Sequence, residues 1–387
     1  MSGFSSTDDL VNQITTNGRF YRADWNKNHA TGGTVVAGTW QCLAGGAGNP
    51  GANTALGGTT LIPITMYDFL TTAGAIQHGG AVAAAYDGYK QILAASAFSA
   101  AATTMPAVAM LVDLLSITPL SNATISAVGT KTILGNEVTT FSSSSGLLAT
   151  YTSDIPTYTP ISYTNSGGAL PTGLTADTVY WTVRVSATTS RLATTLANAI
   201  AGTVIAFTNA GTGTQTAMIR TPRYSDGAGV QAFLTASTAG TAGAGTFQLT
   251  YRNSANVAAN VTPTTPALPT NTAVAPLLTI PYSGTGSGKF GPFFPLANGD
   301  AGIRNMTNII LASAGVTTGV YNLCLCKPLL TLPMTTVGVA AERDLVNQMP
   351  SMPKVYDGAC LVWLIYAGSA IPNNSAFYGH LDLGWGA

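Results

Sequence analysis

The sequence predicts a mainly β protein: a β-sandwich or jelly-roll-like core carrying one Ala-rich helix and an inserted small β domain. Three observations lead there. Short apolar runs are cut repeatedly by turn residues, with 43 Gly and 20 Pro in the chain, which is the rhythm of strands joined by loops. The chain is 46% hydrophobic, enough to fill a core and too apolar for disorder. Only one stretch is dominated by strong helix formers. At 387 residues the chain exceeds the usual size of a single core, so two packed units are expected.

The elements follow in chain order. Asp9-Leu10-Val11-Asn12-Gln13 recurs as Asp344-Leu345-Val346-Asn347-Gln348, while the flanks of the two copies diverge, which argues against a duplicated domain. Thr7 and Glu342 stand just ahead of the acidic residue in each copy and suit the start of a short helix, so two similar helical turns are expected near opposite ends, with chance likeness as the alternative. From Gly38 to Thr65 apolar pieces alternate with Gly, Asn and Pro, as in strands and loops. The predicted helix is "AVAAAYDGYKQILAASAFSAAATTM", in which Tyr86, Tyr89, Ile92, Leu93 and Phe98 can share a face. Pro106 would end it, and "AVAMLVDLLSI" then reads as a buried strand.

Between about residues 119 and 221 Ser, Thr and Gly crowd the chain, and "TVYWTVRV", "TVIAFT" and "QTAMI" read as short strands. This predicts an inserted β module at 119–221, leaving 1–118 and 222–387 as a discontinuous β-rich core. "YSDGAGVQAFLTAS" and "GTFQLTYRN" resume the strand alternation. The Pro- and Thr-rich stretch at 260–280 suits an extended segment laid over a surface. "MTNIILASA", "VYNLCLCKPLL" and "CLVWLIYAG" are three further strands expected to form a central sheet.

Charge is the most informative part of the composition. Fifteen basic residues balance fifteen acidic ones, and charged residues make up 8% of the chain against about 25% in an ordinary globular domain. Near-neutral, weakly charged surfaces associate, so this one should be covered by neighbours. There is no basic block for nucleic acid, and the longest dense apolar run, "ACLVWLIYAGSA", is too short to span a bilayer. The N-terminus lacks the basic and apolar regions of a secretion signal, which points to synthesis in a cytoplasm.

Candidate chemistry is sparse. Cys42, Cys324, Cys326 and Cys360 make no disulfide framework in a chain this long; Cys324 and Cys326 share a strand face, either as half of a metal site or, preferably, as small apolar core residues. "SGTGSGKF" is one residue short of a phosphate loop, with Phe290 where a magnesium-binding hydroxyl belongs. His29, His78 and His380 have no metal-ligand partner at helical or hairpin spacing and read as ordinary surface or interface residues. No nucleophile elbow or carboxylate pair stands out. Neither an enzyme nor a cofactor is expected.

Two clusters read as interfaces. The first holds Arg19, Phe20, Tyr21, Arg22 and Trp25, because Arg and aromatic residues are enriched where proteins meet. The second holds Phe290, Phe293 and Phe294, ahead of an Asp300/Arg304 pair, with an ordered loop over the core as an equal reading.

Several stretches resemble virion structural proteins of tailed bacteriophages: "TDDLVNQITTNGRFYRADWNK", "GPFFPLANGDAGIRNMTNIILASAGVTTGVYNLCLCKPLLTLPM", "ERDLVNQMPSMPKVYDGACLVWLIYAG" and "FYGHLDLGWG". The resemblance covers roughly residues 1–118 and 222–387. "ALPTGLTADTVYWTVRVSATTSRLATT" and "VIAFTNAGTGTQTA" resemble small β modules inserted in phage head and tail proteins. What the resemblance implies is a component of the virion, made in the bacterial host cytoplasm; the sparsely charged surface, suited to being covered by neighbours, selects a capsid decoration or cement protein among such components. Its partners would be the major capsid protein and copies of itself in a homo-oligomer, without membrane or specific nucleic acid. The alternatives are the major capsid protein itself, or a tail or host-attachment protein whose insertion binds a glycan.

Overall fold

The computed structural model describes residues 4–28, 37–38, 40–52, 65–66, 74–78, 88–100, 106–120, 129–133, 136–142, 148–236, 246–263, 278–279, 292–311, 321–347, 352–372 and 375–386. The protein is mainly β, as its sequence predicts, with a sandwich-like body and a small barrel.

At the centre lies a series of antiparallel strands: β2 (Trp40–Cys42), β4 (Thr65–Met66), β6 (Pro106–Leu120), β14 (Gln231–Ala236), β17 (Leu278–Thr279), β19 (Tyr321–Pro333) and β22 (Leu361–Ala367). Pairing runs β19-β14-β17-β2-β22-β6, and β19 pairs with β6 as well, so the series returns on itself. Side chains alternate across a strand, and here both faces are apolar. Val112 and Leu114 of β6, Cys324 and Cys326 of β19 and Val362 and Leu364 of β22 fill the inside of the ring with Trp40 and Phe233. Ala109 and Leu111 of β6 point the other way, with Leu330 and Leu332 of β19 and Trp363 and Ile365 of β22. Further along the same two long strands, Leu115, Leu323 and Leu325 supply a third cluster.

Each outward cluster is covered by another sheet. The first is covered by β1 (Phe20–Asn28), β3 (Gly48–Asn49), β5 (Tyr89–Ser99), β20 (Ala341–Asp344), β21 (Lys354–Tyr356) and β23 (Ala376–Gly384), paired in the order β20-β5-β23-β1-β3, with β21 also on β5. The second lies under β7 (Gly129–Thr132), β15 (Phe247–Asn253), β16 (Asn260–Val261) and β18 (Ile303–Leu311), ordered β16-β15-β18-β7. β18 therefore belongs to a covering sheet, whereas β19 and β22 belong to the centre; the expectation of one sheet holding all three is corrected.

The remaining strands close a separate barrel, ordered β10-β11-β12-β9-β8-β13: β8 (Asn136–Ser142), β9 (Leu148–Thr150), β10 (Pro160–Ser166), β11 (Tyr180–Ser186), β12 (Thr189–Ala193) and β13 (Thr214–Ile219). Phe141, Tyr163, Tyr180, Leu192 and Phe207 fill it, and the Tyr151 and Tyr163 hydroxyls meet at 2.6 Å. "TVIAFT" is not a strand; Ile205 reaches the barrel through one backbone bond to Leu192. Asn136 and Met218 are register partners, so the chain enters and leaves the barrel on one ladder. The stretch 119–135 lies partly outside it: β6 runs on to Leu120, and β7 pairs with β18.

Two local expectations are overturned. The Ala-rich segment is no helix where it is described: Tyr89–Ser99 is β5, hydrogen-bonded to β20, β21 and β23, and residues 79–87 and 101–105 lie outside the described residues. Small side chains let a neighbour press close to this sheet. At Gly379 of β23 an added Cβ would sit 2.0 Å from the Ser96 carbonyl oxygen and 2.7 Å from the Trp25 ring. The two DLVNQ copies also differ. The first lies in α1 (Thr7–Thr15), where Ser6 accepts from the Asp9 N–H at 3.1 Å and the Asp9 carboxylate accepts from Ser5 N–H and Gln13 Nε2, both at 2.9 Å. In the second, Asp344 ends β20 and its carboxylate accepts from the Val346 N–H at 2.8 Å; Val346 and Asn347 make a 3-10 turn, so a helical turn is present there but it follows a strand, and Gln348 lies outside the described residues.

Candidate functional site

Among the described residues seven charged side chains are buried. Asp113, on β6 at the seam between the two outward clusters, accepts from Arg223 Nε at 2.8 Å, Arg223 Nη2 at 2.6 Å and the Cys360 N–H at 2.9 Å; both charged side chains are fully buried. Lys90 and Asp357 form a second buried pair at 2.7 Å. Lys27 is buried, and among the described residues no carboxylate meets its ammonium. Its Nζ donates to the carbonyl oxygens of Gly46, Pro50 and Gly51 at 2.8–3.0 Å, with Ala44 at 3.4 Å, while burial lowers its pKa to about 8. His78, expected at the surface or an interface, is buried, with Nε2 2.9 Å from the Ala359 carbonyl; burial, then the nearby Lys90, lowers it to about 3. Asp113, Lys90 and His78 thus brace the Tyr356–Cys360 turn against the body, whereas Lys27 holds the loop at 44–51.

The first predicted cluster is split by strand alternation. Along β1, Phe20, Arg22, Asp24 and Asn26 face outward while Ala23, Trp25 and Lys27 face in. Trp25 is a core residue, its ring 5.3 Å from that of Trp363, and this corrects its assignment to an interface. Tyr21 packs part-buried against the same core. Arg19 folds back onto α1, its Nη1 donating to Gln13 Oε1 at 2.9 Å. Arg22 makes a bidentate pair with Asp382, both bonds 2.7 Å, and stays half exposed.

In the second cluster Phe290 lies outside the described residues. Phe294 is buried, and its N–H donates to the Ala232 carbonyl at 2.8 Å, so its interface assignment is corrected too. Phe293 stands 6.3 Å from Phe233 over the ring interior. This loop is a cover for the core. Asp300 has no ion pair with Arg304; it accepts from the Tyr251 hydroxyl at 2.5 Å and Asn253 Nδ2 at 2.6 Å. "SGTGSGKF" and His29 lie outside the described residues. All four cysteines are buried and unbridged in the ring interior, where burial raises Cys42 to about 11. Among the described residues no group of His, Cys, Asp or Glu is placed to hold a metal ion, and no helix is long and apolar enough to cross a membrane.

Among the described residues two surfaces can meet another molecule. The first is the outer face of the sheet holding β1, where register places Tyr378, His380 and Asp382 of β23 opposite Asn26, Asp24 and Arg22. Phe98 and Tyr378 form an aromatic pair at one end, with ring centroids 6.4 Å apart, and Ser96 Oγ lies 2.8 Å from His380 Nδ1 in the middle. His380 was expected at a surface or interface, but Tyr378 and Asp382 were not singled out, because their clustering with it depends on β23 pairing with a strand over 350 residues away. The second surface is a 450 Å³ cleft between barrel and body, lined by Trp181, Thr194, Thr195, Tyr224, Ser225 and Tyr356 among others. The Thr194 and Thr195 oxygens accept from Asn198 Nδ2 and N–H, at 2.9 and 3.1 Å, which leaves their O–H protons to donate elsewhere. Tyr224 and Tyr356 meet edge to face at 5.0 Å.

No protein-family model matches the chain, and no curated protein is similar to it. Among solved structures it is similar to the VP2 subviral particle of infectious bursal disease virus, at 8% identity over 99% of this chain and 84% of that one, with a TM-score of 0.17. It is similar also to the T=1 particles derived from that virus, at 8% identity over 97% of this chain and 83% of that one, with a TM-score of 0.16. These neighbours are particle-forming virus proteins, and at such TM-scores the likeness carries no argument.

Proposed function

We propose that this protein is a non-enzymatic structural component of a virus particle, acting as a capsid decoration or cement protein that bridges neighbouring subunits of a tailed-phage shell. One observation carries the reading. The surface is poorer in free charge than even the composition implies, because Lys27, Lys90, Arg220 and Arg223 are buried along with Asp113, Asp357 and Asp382, out of fifteen residues of each sign. A surface with so few free charges resists association weakly and suits a protein held among neighbours. Exposed Val11, Phe20, Val337, Val339 and Tyr378 supply apolar contact points. Bridging would make each second contact effectively intramolecular, so that individually modest contacts add to firm attachment.

Quantitative mass spectrometry of purified particles tests this. Hundreds of copies per particle on a lattice built by a different chain is the expected result. Closed shells formed by this chain alone would point to the major capsid protein instead, and absence from particles would end the proposal.

A second reading has its own observation, the cleft. Trp and Tyr rings beside hydroxyl donors suit a saccharide, whose C–H faces stack on aromatic rings while its hydroxyls exchange hydrogen bonds. On that reading the barrel would serve host attachment.

A further inference from the structure

The buried charges of the body are solvated very unequally. Both oxygens of Asp113 are engaged, by two bonds from Arg223 and one from the Cys360 N–H. The Lys27 ammonium is ringed by backbone carbonyls. Lys90 and Asp357 have much less. Lys90 Nζ donates to Asp357 Oδ1 at 2.7 Å, and each side chain is 1% exposed. Among the described residues this is the ammonium's one hydrogen bond, with the Trp385 ring centroid 5.8 Å away on another side. Asp357 Oδ2 is buried with no hydrogen-bond partner among those residues. An ammonium has three protons to give and a carboxylate about four sites to accept them, so most of this pair's capacity is unused. The contact itself is imposed by the ladder: Lys90 of β5 is paired with Val355 of β21, and the Asp357 N–H donates to the Gly88 carbonyl at 2.8 Å.

We propose that Lys90 and Asp357 condense into an amide, a covalent cross-link between β5 and the turn that follows β21. Two charges held by a single hydrogen bond are costly in an apolar interior. A proton passing from Nζ to the carboxylate along that bond removes both charges and leaves a free amine against a carboxylic acid. Nζ then attacks Cγ: the Nζ–Cγ bond forms, the bond from Cγ to the hydroxyl oxygen breaks, and that oxygen leaves as water with the acid proton and one amine proton. The step consumes no oxidant, reductant or activating group. Proximity replaces activation, since well-oriented groups in one molecule react at effective molarities on the order of 10⁵–10⁸ M. Loss of the water from a buried site opposes hydrolysis back to the acid. The product has one N–H and one C=O to satisfy, in place of an ion pair.

The test is mass spectrometry of the folded full chain after denaturation. The intact mass should fall short of the sequence mass by one water. Gly358 follows Asp357, and a cyclic imide between those two residues would lose the same water, so the linkage must be mapped. The expected product is a branched tryptic peptide joining Lys90 to Asp357, with no cleavage after Lys90. A cyclic imide would leave Lys90 cleavable and would open in hydroxylamine. Lys90→Arg keeps a positive charge without an amine that can react, and should restore the full mass. A full sequence mass in the unsubstituted chain, a lost water with Lys90 still cut by trypsin, or a lost water that persists in Lys90→Arg would each overturn the cross-link and leave an ion pair. The measurement on the unsubstituted chain decides the matter even where the variant fails to fold.

Discussion

Replacing Asp113 by Ala is the sharpest perturbation the structure offers. The carboxylate accepts three hydrogen bonds, two from Arg223 and one from the Cys360 N–H, at a point with no access to solvent. Removing it strands a guanidinium in the core, and breaking one side of such a buried pair costs about 3–5 kcal/mol. With an unfolding entropy of about 2.1 cal/mol/K per residue, a chain of 387 residues loses roughly 1.2 °C of melting temperature per kcal/mol, so the variant should melt about 4–6 °C below the parent by calorimetry. The double variant Asp113→Leu with Arg223→Met should recover most of that loss, since a well-packed apolar replacement of both charges is close to neutral. An Asp113→Ala protein within about 1 kcal/mol of the parent, or a double variant as unstable as the single one, would refute the claim that this pair braces the seam.

Three other outcomes are expected. Trp25→Ala should cost about 3–5 kcal/mol in denaturant unfolding, whereas Phe20→Ala, five residues away on the opposite face, should stay within about 0.5 kcal/mol; equal effects would place both residues in the same environment. His78, lowered to about 3 by burial, makes stability fall with acid, because the unfolded chain takes up a proton near the ordinary value of 6.5 that the fold refuses until about 3. Its contribution is thus complete above 6.5 and lost on the way to 3, and His78→Gln should flatten that part of the pH–stability curve. Replacing residues 136–219 by a short linker should leave a body that still melts cooperatively and still joins particles, checked by circular dichroism and particle co-sedimentation; loss of the body's transition would show that the barrel is integral to it.

Strands with a long apolar run were legible because nothing local competes with them. "AVAMLVDLLSI", "VYNLCLCKPLL" and "CLVWLIYAG" became β6, β19 and β22, the strands that are apolar on both faces. The Ala-rich segment was misread because Ala, Lys and Gln favour a helix by themselves, while partners on both sides impose an extended chain. A bulge between Asp382 and Leu383 in that pairing lets Ile92 and Leu93 both point inward, which breaks the alternation a reader would look for. The two DLVNQ copies make the same point with identical residues: the first lies wholly in a helix after Ser6, while the second leaves β20 at Asp344 and turns as a 3-10 segment at Val346 and Asn347. Trp25 and Phe294 looked like contact residues because composition cannot say which face of a strand a ring occupies. The cleft was beyond reach, since it joins barrel residues such as Trp181 to Tyr224 and Tyr356 of the body.

The adjacency of Asn136 and Met218 carries a lesson about ancestry. A unit whose two covalent tethers emerge side by side can be swapped by one in-frame exchange, without rethreading a single strand of its host. Whatever such an appendage recognises is then free to change on a faster clock than the scaffold that carries it.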